Sequence, residues 1–427
     1  MRMLFKNGSV IPAQAGMTLP FMKVLHILLF GVLLALTGAT PVFGEQDNKQ
    51  SSTEVDTEVA SEDYQSEPEE KTGWLKSYLA RQKEKDPNRG RFITIPIFIT
   101  EPAIVDCLGM VLSYFLPKKE VTYRARLASL ESLGNASSDQ EAPPSFTGVF
   151  GAYTSNETAA AGVGDMNSFK DDHIRFTGVA AWANVNSTFY IADRPIKFNL
   201  EGVLAYQETR FRFGDSRWFW GIGLTYLDAD TAFRVEIPDE APIELFPNTL
   251  TNVGLAGKLA WDSRDSTSMP TDGQLADLSI WRYDDAIGGD YNYWNARLKV
   301  TSFHPFGEKW VLGLRFEYQA TSGDAPFFAY PYVSLRGIPA LRYQGDRVAT
   351  GEIEGRYNFT SKWSMSGFVG TGKVNSDLPI FDTEQKIYSY GIGARYQIFE
   401  VQNIWIGIDI ASGPEEYNWY IQVGQAW

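Results

Sequence analysis

Three sets of residues in this chain have the types and spacing to do chemistry. Ser302 and His304 lie two apart, which puts a hydroxyl and an imidazole on one strand face as a nucleophile and its base. The flanking Phe303 and Pro305 read as a turn, however, and no supporting motif accompanies the pair. Asp262 and Arg264 share the same spacing, so both point one way and can pair as ions. The third set begins with Arg336, in the run Leu335-Arg336-Gly337-Ile338, followed by Leu341-Arg342-Tyr343-Gln344-Gly345-Asp346. After it, Thr350, Glu352, Glu354, Arg356 and Asn358 alternate with Ala349, Gly351, Ile353, Gly355, Tyr357 and Phe359. A soluble protein would rarely place two carboxylates and a guanidinium on an inward face opposite a continuous apolar stripe.

The elements that must position these groups are strands. Trp218, Trp220, Ile222, Leu224 and Tyr226 alternate with small or polar residues, and so do Val253, Leu255, Gly257, Leu259 and Trp261. The same period of two runs through Trp294–Val300, Trp310–Tyr318 and Ile404–Ile410. Aromatic residues tend to bound the stripes, as in the girdles of a barrel wall between lipid headgroups. A soluble β-sandwich also alternates, but rarely sustains such long aromatic-bounded stripes in so many strands. A transmembrane barrel places its apolar stripe toward lipid and its charges toward the lumen. An arginine on a long loop beside inward carboxylates then describes a loop tucked into that lumen.

Composition agrees with this reading. The chain has 427 residues, 38 of them glycine and 14% of them aromatic, enough for one large barrel with extensions. Its single cysteine, Cys107, excludes an internal disulfide and a cysteine-based metal cluster. The three histidines, His26, His173 and His304, argue against a histidine-rich metal site, so no cofactor or metal is expected. At about 20 residues per strand and connection, the stretch after Gly90 accommodates roughly 16 strands. The expected fold class is thus all-β, a transmembrane antiparallel β-barrel of about that size.

The one helical apolar run, Val24 to Leu36, follows Lys23 and precedes Val42-Phe43-Gly44. Its core is short of the ~20 residues of a spanning helix, so residues 1–44 read as a signal peptide cut after Gly44. Met22 reads as its start, with residues 1–21 a mis-assigned extension. Residues 45–90 form an acidic periplasmic tether, with ten acids against two lysines over residues 45–71. Trp74, Leu75, Tyr78 and Leu79 recur at helical spacing and predict a short amphipathic helix within it. Residues 91–427 are left for the barrel. An exported chain that crosses a membrane only by strands belongs in the outer membrane of a Gram-negative cell.

Asp262-Ser263-Arg264-Asp265 closes one strand and Met269-Pro270-Thr271-Asp272-Gly273 opens the next, with Pro270, Asp272 and Gly273 expected to supply a tight periplasmic turn. Together with the Arg336 loop, the strand after it and Gly367-Phe368-Val369-Gly370-Thr371-Gly372, these motifs resemble the bacterial surface antigen barrel of the BamA/TamA family. Ile95-Pro96-Ile97 with Thr100-Glu101-Pro102 resembles the start of its branch lacking POTRA repeats. The resemblance spans Phe92 to Trp427. It implies that Arg336 caps a sixth extracellular loop folded into the lumen, with Gly337 permitting the backbone turn and Glu352 or Glu354 as the partner acid. Phe368 would pack beneath the loop. Gly370 stands where many relatives carry an aspartate that also touches it.

In the last strand, Tyr417, Trp419, Ile421, Val423 and Trp427 are expected on the outer face, resembling the C-terminal signal read by the outer-membrane assembly machinery; Gln425 interrupts the stripe. Pro96, which has no N–H for a ladder, sits in the first candidate strand, so the barrel is expected to close imperfectly between its first and last strands. The resemblance implies insertion or translocation of protein or lipid. Outer-membrane lipids and lipopolysaccharide, the assembly machinery and a protein or lipid client are the expected partners, without nucleic acid and without enzyme activity. One alternative is a passive channel tuned by Lys258, Arg297, Lys299, Arg315, Glu317, Glu352 and Arg356. The other is a lipid hydrolase built on Ser302 and His304.

Overall fold

A computed structural model describes residues 90–101, 105–116, 142–191, 194–235, 243–378, 381, 384–399 and 404–427. Residues 1–89, which carry the expected leader, acidic tether and amphipathic helix, lie outside the described residues.

Among the described residues, sixteen strands follow one another in a single antiparallel sheet, each paired with its neighbours in sequence. They are β1 (Arg91–Glu101), β2 (Val105–Phe115), β3 (Phe146–Thr154), β4 (Ala159–Phe169), β5 (Ile174–Ile191), β6 (Arg194–Arg212), β7 (Trp218–Val235) and β8 (Ile243–Asp262). The second half comprises β9 (Gly273–Tyr283), β10 (Tyr293–Phe306), β11 (Trp310–Gly323), β12 (Arg347–Asn358), β13 (Trp363–Asn375), β14 (Glu384–Phe399), β15 (Ile404–Ser412) and β16 (Tyr417–Val423). An up-and-down order is the arrangement that pairs neighbouring strands without a crossover.

The two faces follow the period-two pattern. Trp220, Ile222, Leu224, Leu314, Phe316 and Ile408 are exposed on the outer wall, where lipid would cover them. Glu317, Thr350, Glu352, Glu354, Arg356 and Asp409 are buried on the inner one. Strands β5–β8 run to 18, 19, 18 and 20 residues, well beyond the roughly 9–11 that a bilayer needs. Their surplus carries polar groups on the outer face: Thr249 Oγ1 donates to Asp230 at 2.6 Å, and Thr251 Oγ1 to Asp228 at 3.1 Å. This part of the wall therefore rises out of the apolar band.

The ring does not complete its ladder. β16 lies beside β1, yet among the described residues no hydrogen-bonded register joins them. β16 spans only 7 residues against 11 in β1, and Pro96, opposite Met110 of β2, has no N–H for a ladder bond.

Candidate functional site in the barrel lumen

The connection between β11 and β12 crosses the lumen. Its first part, a short 3-10 turn over Phe327–Ala329, sets Phe327 among inward rings of the long strands. Phe327 lies 4.1 Å from Phe189, 5.5 Å from Phe198 and 5.3 Å from Phe233, between ring centroids. Farther along the loop, Val333, Leu335, Ile338 and Tyr343 pack on Val348, Val374 and Ile387 of the opposite wall.

Arg336 sits between these contacts, 7% exposed. Its Nη1 donates to Asp409 at 2.8 Å and its Nη2 to Glu354 at 2.9 Å and to Glu352. The guanidinium lies over the Phe368 ring, 3.3 Å from its centroid, which shields the pairs from one side. Glu352 and Glu354 are on β12, Phe368 on β13 and Asp409 on β15, so three strands converge on one cation. Arg395 of β14 shares Asp409, with Nη2 2.9 Å from Oδ2. With Arg356 beside Glu354, three guanidiniums face three carboxylates in a near-neutral buried cluster. Burial opposes the charge on Arg336, but Glu352, Glu354 and Asp409 outweigh it and raise its pKa above the ordinary guanidinium value. Such pairs specify geometry: removing one partner leaves a buried charge uncompensated, at a cost of about 3–5 kcal/mol.

Gly337 follows with φ +85, and a Cβ there would stand 2.8 Å from the Ser412 carbonyl carbon. Only glycine permits both that left-handed backbone and that close approach. Its N–H donates to the Tyr420 hydroxyl at 2.9 Å. The carboxylate expected by resemblance at Gly370 is not needed for the Arg336 cluster, because Asp409 supplies a third acid. A Cβ at Gly370 would lie 2.9 Å from Leu335 Cδ2, so a larger residue would press on the loop.

The other sequence-derived sites separate from this cluster. Asp262 pairs with Arg264 at 2.9 Å, and also with Arg175 of β5 at 2.9 Å. The expected tight turn is instead a longer connection over residues 263–272, because Asp262 ends β8 and Gly273 starts β9. Asp265 folds it by accepting from the backbone N–H groups of Ser266 at 2.9 Å and Thr271 at 3.0 Å, while its own N–H donates to the Asp272 carbonyl at 3.1 Å. Met269 is buried and the Pro270 carbonyl accepts from Arg356, so the connection is drawn inward.

Ser302 and His304 lie within β10 and not in a turn, since both pair with β11 opposite Leu314 and Leu312. The hydroxyl is 2.6 Å from Nε2, on the outer face, because the intervening Phe303 is buried inside. Among the described residues no carboxylate orients the imidazole.

The C-terminus departs most from expectation. Trp419 is exposed and Ile421 half-buried on β16, but Trp427 is inside the lumen, stacked on Phe303 with centroids 5.5 Å apart. β16 stops at Val423, Gly424 reverses the backbone, and the indole N–H finds Glu352. A polar Gln425 facing lipid would go unsatisfied; turned inward it bonds Glu354 at 2.9 Å. Asp409 escaped notice as a partner, although an acid alternating with Ile406, Ile408 and Ile410 marked it as inward. Tyr420 and Arg395 gave no comparable signal.

The Omp85 superfamily domain matches residues 233–399 of the chain. Among solved structures, BamA from Haemophilus ducreyi lacking POTRA domains 1–3 matches with TM-score 0.52 and 14% identity, over 79% of this chain and 71% of that one. CdiB from Acinetobacter baumannii matches with TM-score 0.48 and 10% identity, over 78% and 59%. CdiB from Escherichia coli gives TM-score 0.49 and 10% identity, over 79% and 62%. No curated protein matches the chain.

Proposed function

We propose that this chain, whose residues 233–399 match the Omp85 superfamily domain, is an Omp85-type β-barrel of the Gram-negative outer membrane and inserts or translocates a protein or lipid client through the seam between β1 and β16. The observation that carries this reading is the unladdered seam next to a lumen already filled by a seated loop. An open channel needs a continuous aqueous path, and the β11–β12 loop stands across it from the Phe327 cluster to Arg336. A client reaching the membrane sideways would meet the edges of β1 and β16, and a sheet edge is the usual template for strand addition.

Arg336 and Gly337, with Glu352, Glu354, Asp409 and Phe368, hold the loop in its seated form and carry no bond-breaking role. Residues 91–427 are taken as the membrane domain, preceded by an export leader and an acidic tether. Ser302 and His304 are read as surface polar groups.

The test replaces Cys107 with serine and introduces paired cysteines, one on β1 and one on β16. Oxidation should abolish the protein's effect on the protein and lipid composition of the outer membrane, and reduction should restore it. Full function with the seam covalently shut would overturn the proposal. Large, steady single-channel conductance from the purified barrel would point to the channel instead.

A further inference from the structure

The four residues after β16 connect two parts of the barrel that its sheet topology keeps apart. Gly424 has φ +65, and a Cβ on it would stand 2.3 Å from the Ser268 carbonyl oxygen, so the chain can reverse here only through glycine. Its N–H donates to Trp405 at 2.8 Å, and the N–H of Gln425 to Ser268 at 2.7 Å, which fixes the reversal to β15 and to the β8–β9 connection. The Gln425 side chain then bridges, donating to Glu354 and accepting from Arg356 Nη1, each at 2.9 Å. The Trp427 indole donates to Glu352. A Cβ on Gly313 would be 2.8 Å from that indole, so the β11 wall is hollowed where the ring lies.

Glu352 and Glu354 therefore each bind twice: once to Arg336 from the loop, once to the tail of the last strand. From its middle back to the residues just before it, β16 meets the same loop directly. Tyr420 accepts from Gly337, and Glu415, just before the strand, accepts from Arg342 Nε at 3.0 Å and from the Tyr343 hydroxyl. The strand that borders the seam is thus fastened to the loop directly through Tyr420 and Glu415, and through its tail to the β12 carboxylates that hold the loop.

We propose that Gly424–Trp427 is an internal strap that couples the seam strand to the seated loop. β16 cannot move away from β1 without pulling Gln425 and Trp427 off Glu354 and Glu352. Losing those donors weakens the carboxylate platform that holds Arg336, so release of the loop and movement of β16 become one event. The use made of this coupling rests on the seam proposed above, but the coupling itself is measurable with no client present.

The experiment uses the full chain in lipid nanodiscs, with Cys107→Ser and a reporter Ser334→Cys on the loop. Maleimide labelling reads loop release, and hydrogen–deuterium exchange of the Tyr417–Val423 amides reads β16. Trp427→Phe keeps the ring and removes the indole donor; Gln425→Ala removes the bridge; Gly313→Leu fills the hollow. The expected result is faster labelling and faster β16 exchange together, several-fold in the first two variants and tenfold or more in the third. Heat-modifiable gel migration checks that each barrel is folded, and the two tail variants decide the matter if Gly313→Leu does not fold. Faster β16 exchange with unchanged loop labelling, or no change in either, would overturn the strap. A strap that passes while a disulfide-closed seam keeps full function would refute only the reading of the seam.

Discussion

The β11–β12 loop is held by two walls of opposite chemistry. On the β5–β7 side, Phe327 is gripped by Phe189, Phe198 and Phe233, rings with no required orientation and no charge. On the β12–β15 side, Arg336 is gripped by three carboxylates and an aromatic face, each fixed in direction. Apolar contact scales with area and tolerates changes of shape, whereas a buried guanidinium has one satisfactory position and a steep penalty for any other. The first wall gives the loop adhesion and the second gives it register. A loop held in this manner has two distinct states, seated or released.

The comparison can be broken most severely with Arg336→Ala, which removes the one cation shared by Glu352, Glu354 and Asp409 and leaves Asp409 to Arg395 alone. Loop seating should lose about 3–5 kcal/mol, seen as rapid labelling of a cysteine at position 334. Arg336→Lys keeps the charge but not the planar fork that reaches Glu352, Glu354 and Asp409 at once. It should still cost about 2–3 kcal/mol by the same labelling assay. Phe327→Leu is an equally conservative change on the other wall and should cost only about 1 kcal/mol, because neighbouring rings can repack. If the two conservative variants label at equal rates, the contrast between directional and non-directional walls fails. The smallest effect belongs to Ser302→Ala on the outer face, where the urea midpoint of barrel unfolding in vesicles should shift by less than about 0.5 kcal/mol in equivalent stability. Lipid release from the same vesicles should not change.

Much of this architecture was legible in the residues themselves. A side chain in a strand must alternate between two faces, so an apolar stripe opposite Glu352, Glu354 and Arg356 specifies which face meets lipid before any strand is placed. Phe368 was expected beneath the loop by resemblance, whereas Asp409 follows the same rule through its isoleucine neighbours. Asp262 and Arg264 do pair as their spacing suggested, although Arg264 lies just past the end of β8.

What alternation cannot supply is which inward residues meet across the lumen. Asp409 is 73 positions from Arg336 and Glu354 is 18, yet both carboxylates reach the same guanidinium, because strand order and barrel curvature bring β12 and β15 to one point. The fate of the chain's end was equally hidden. The period of two carried Trp427 onto the outer wall, but one left-handed glycine and two waiting carboxylates turned it inside. Local sequence fixes the face of a residue, since that depends only on its own backbone. Its partner is decided by the order and curvature of the sheet, a property of the sixteen described strands together.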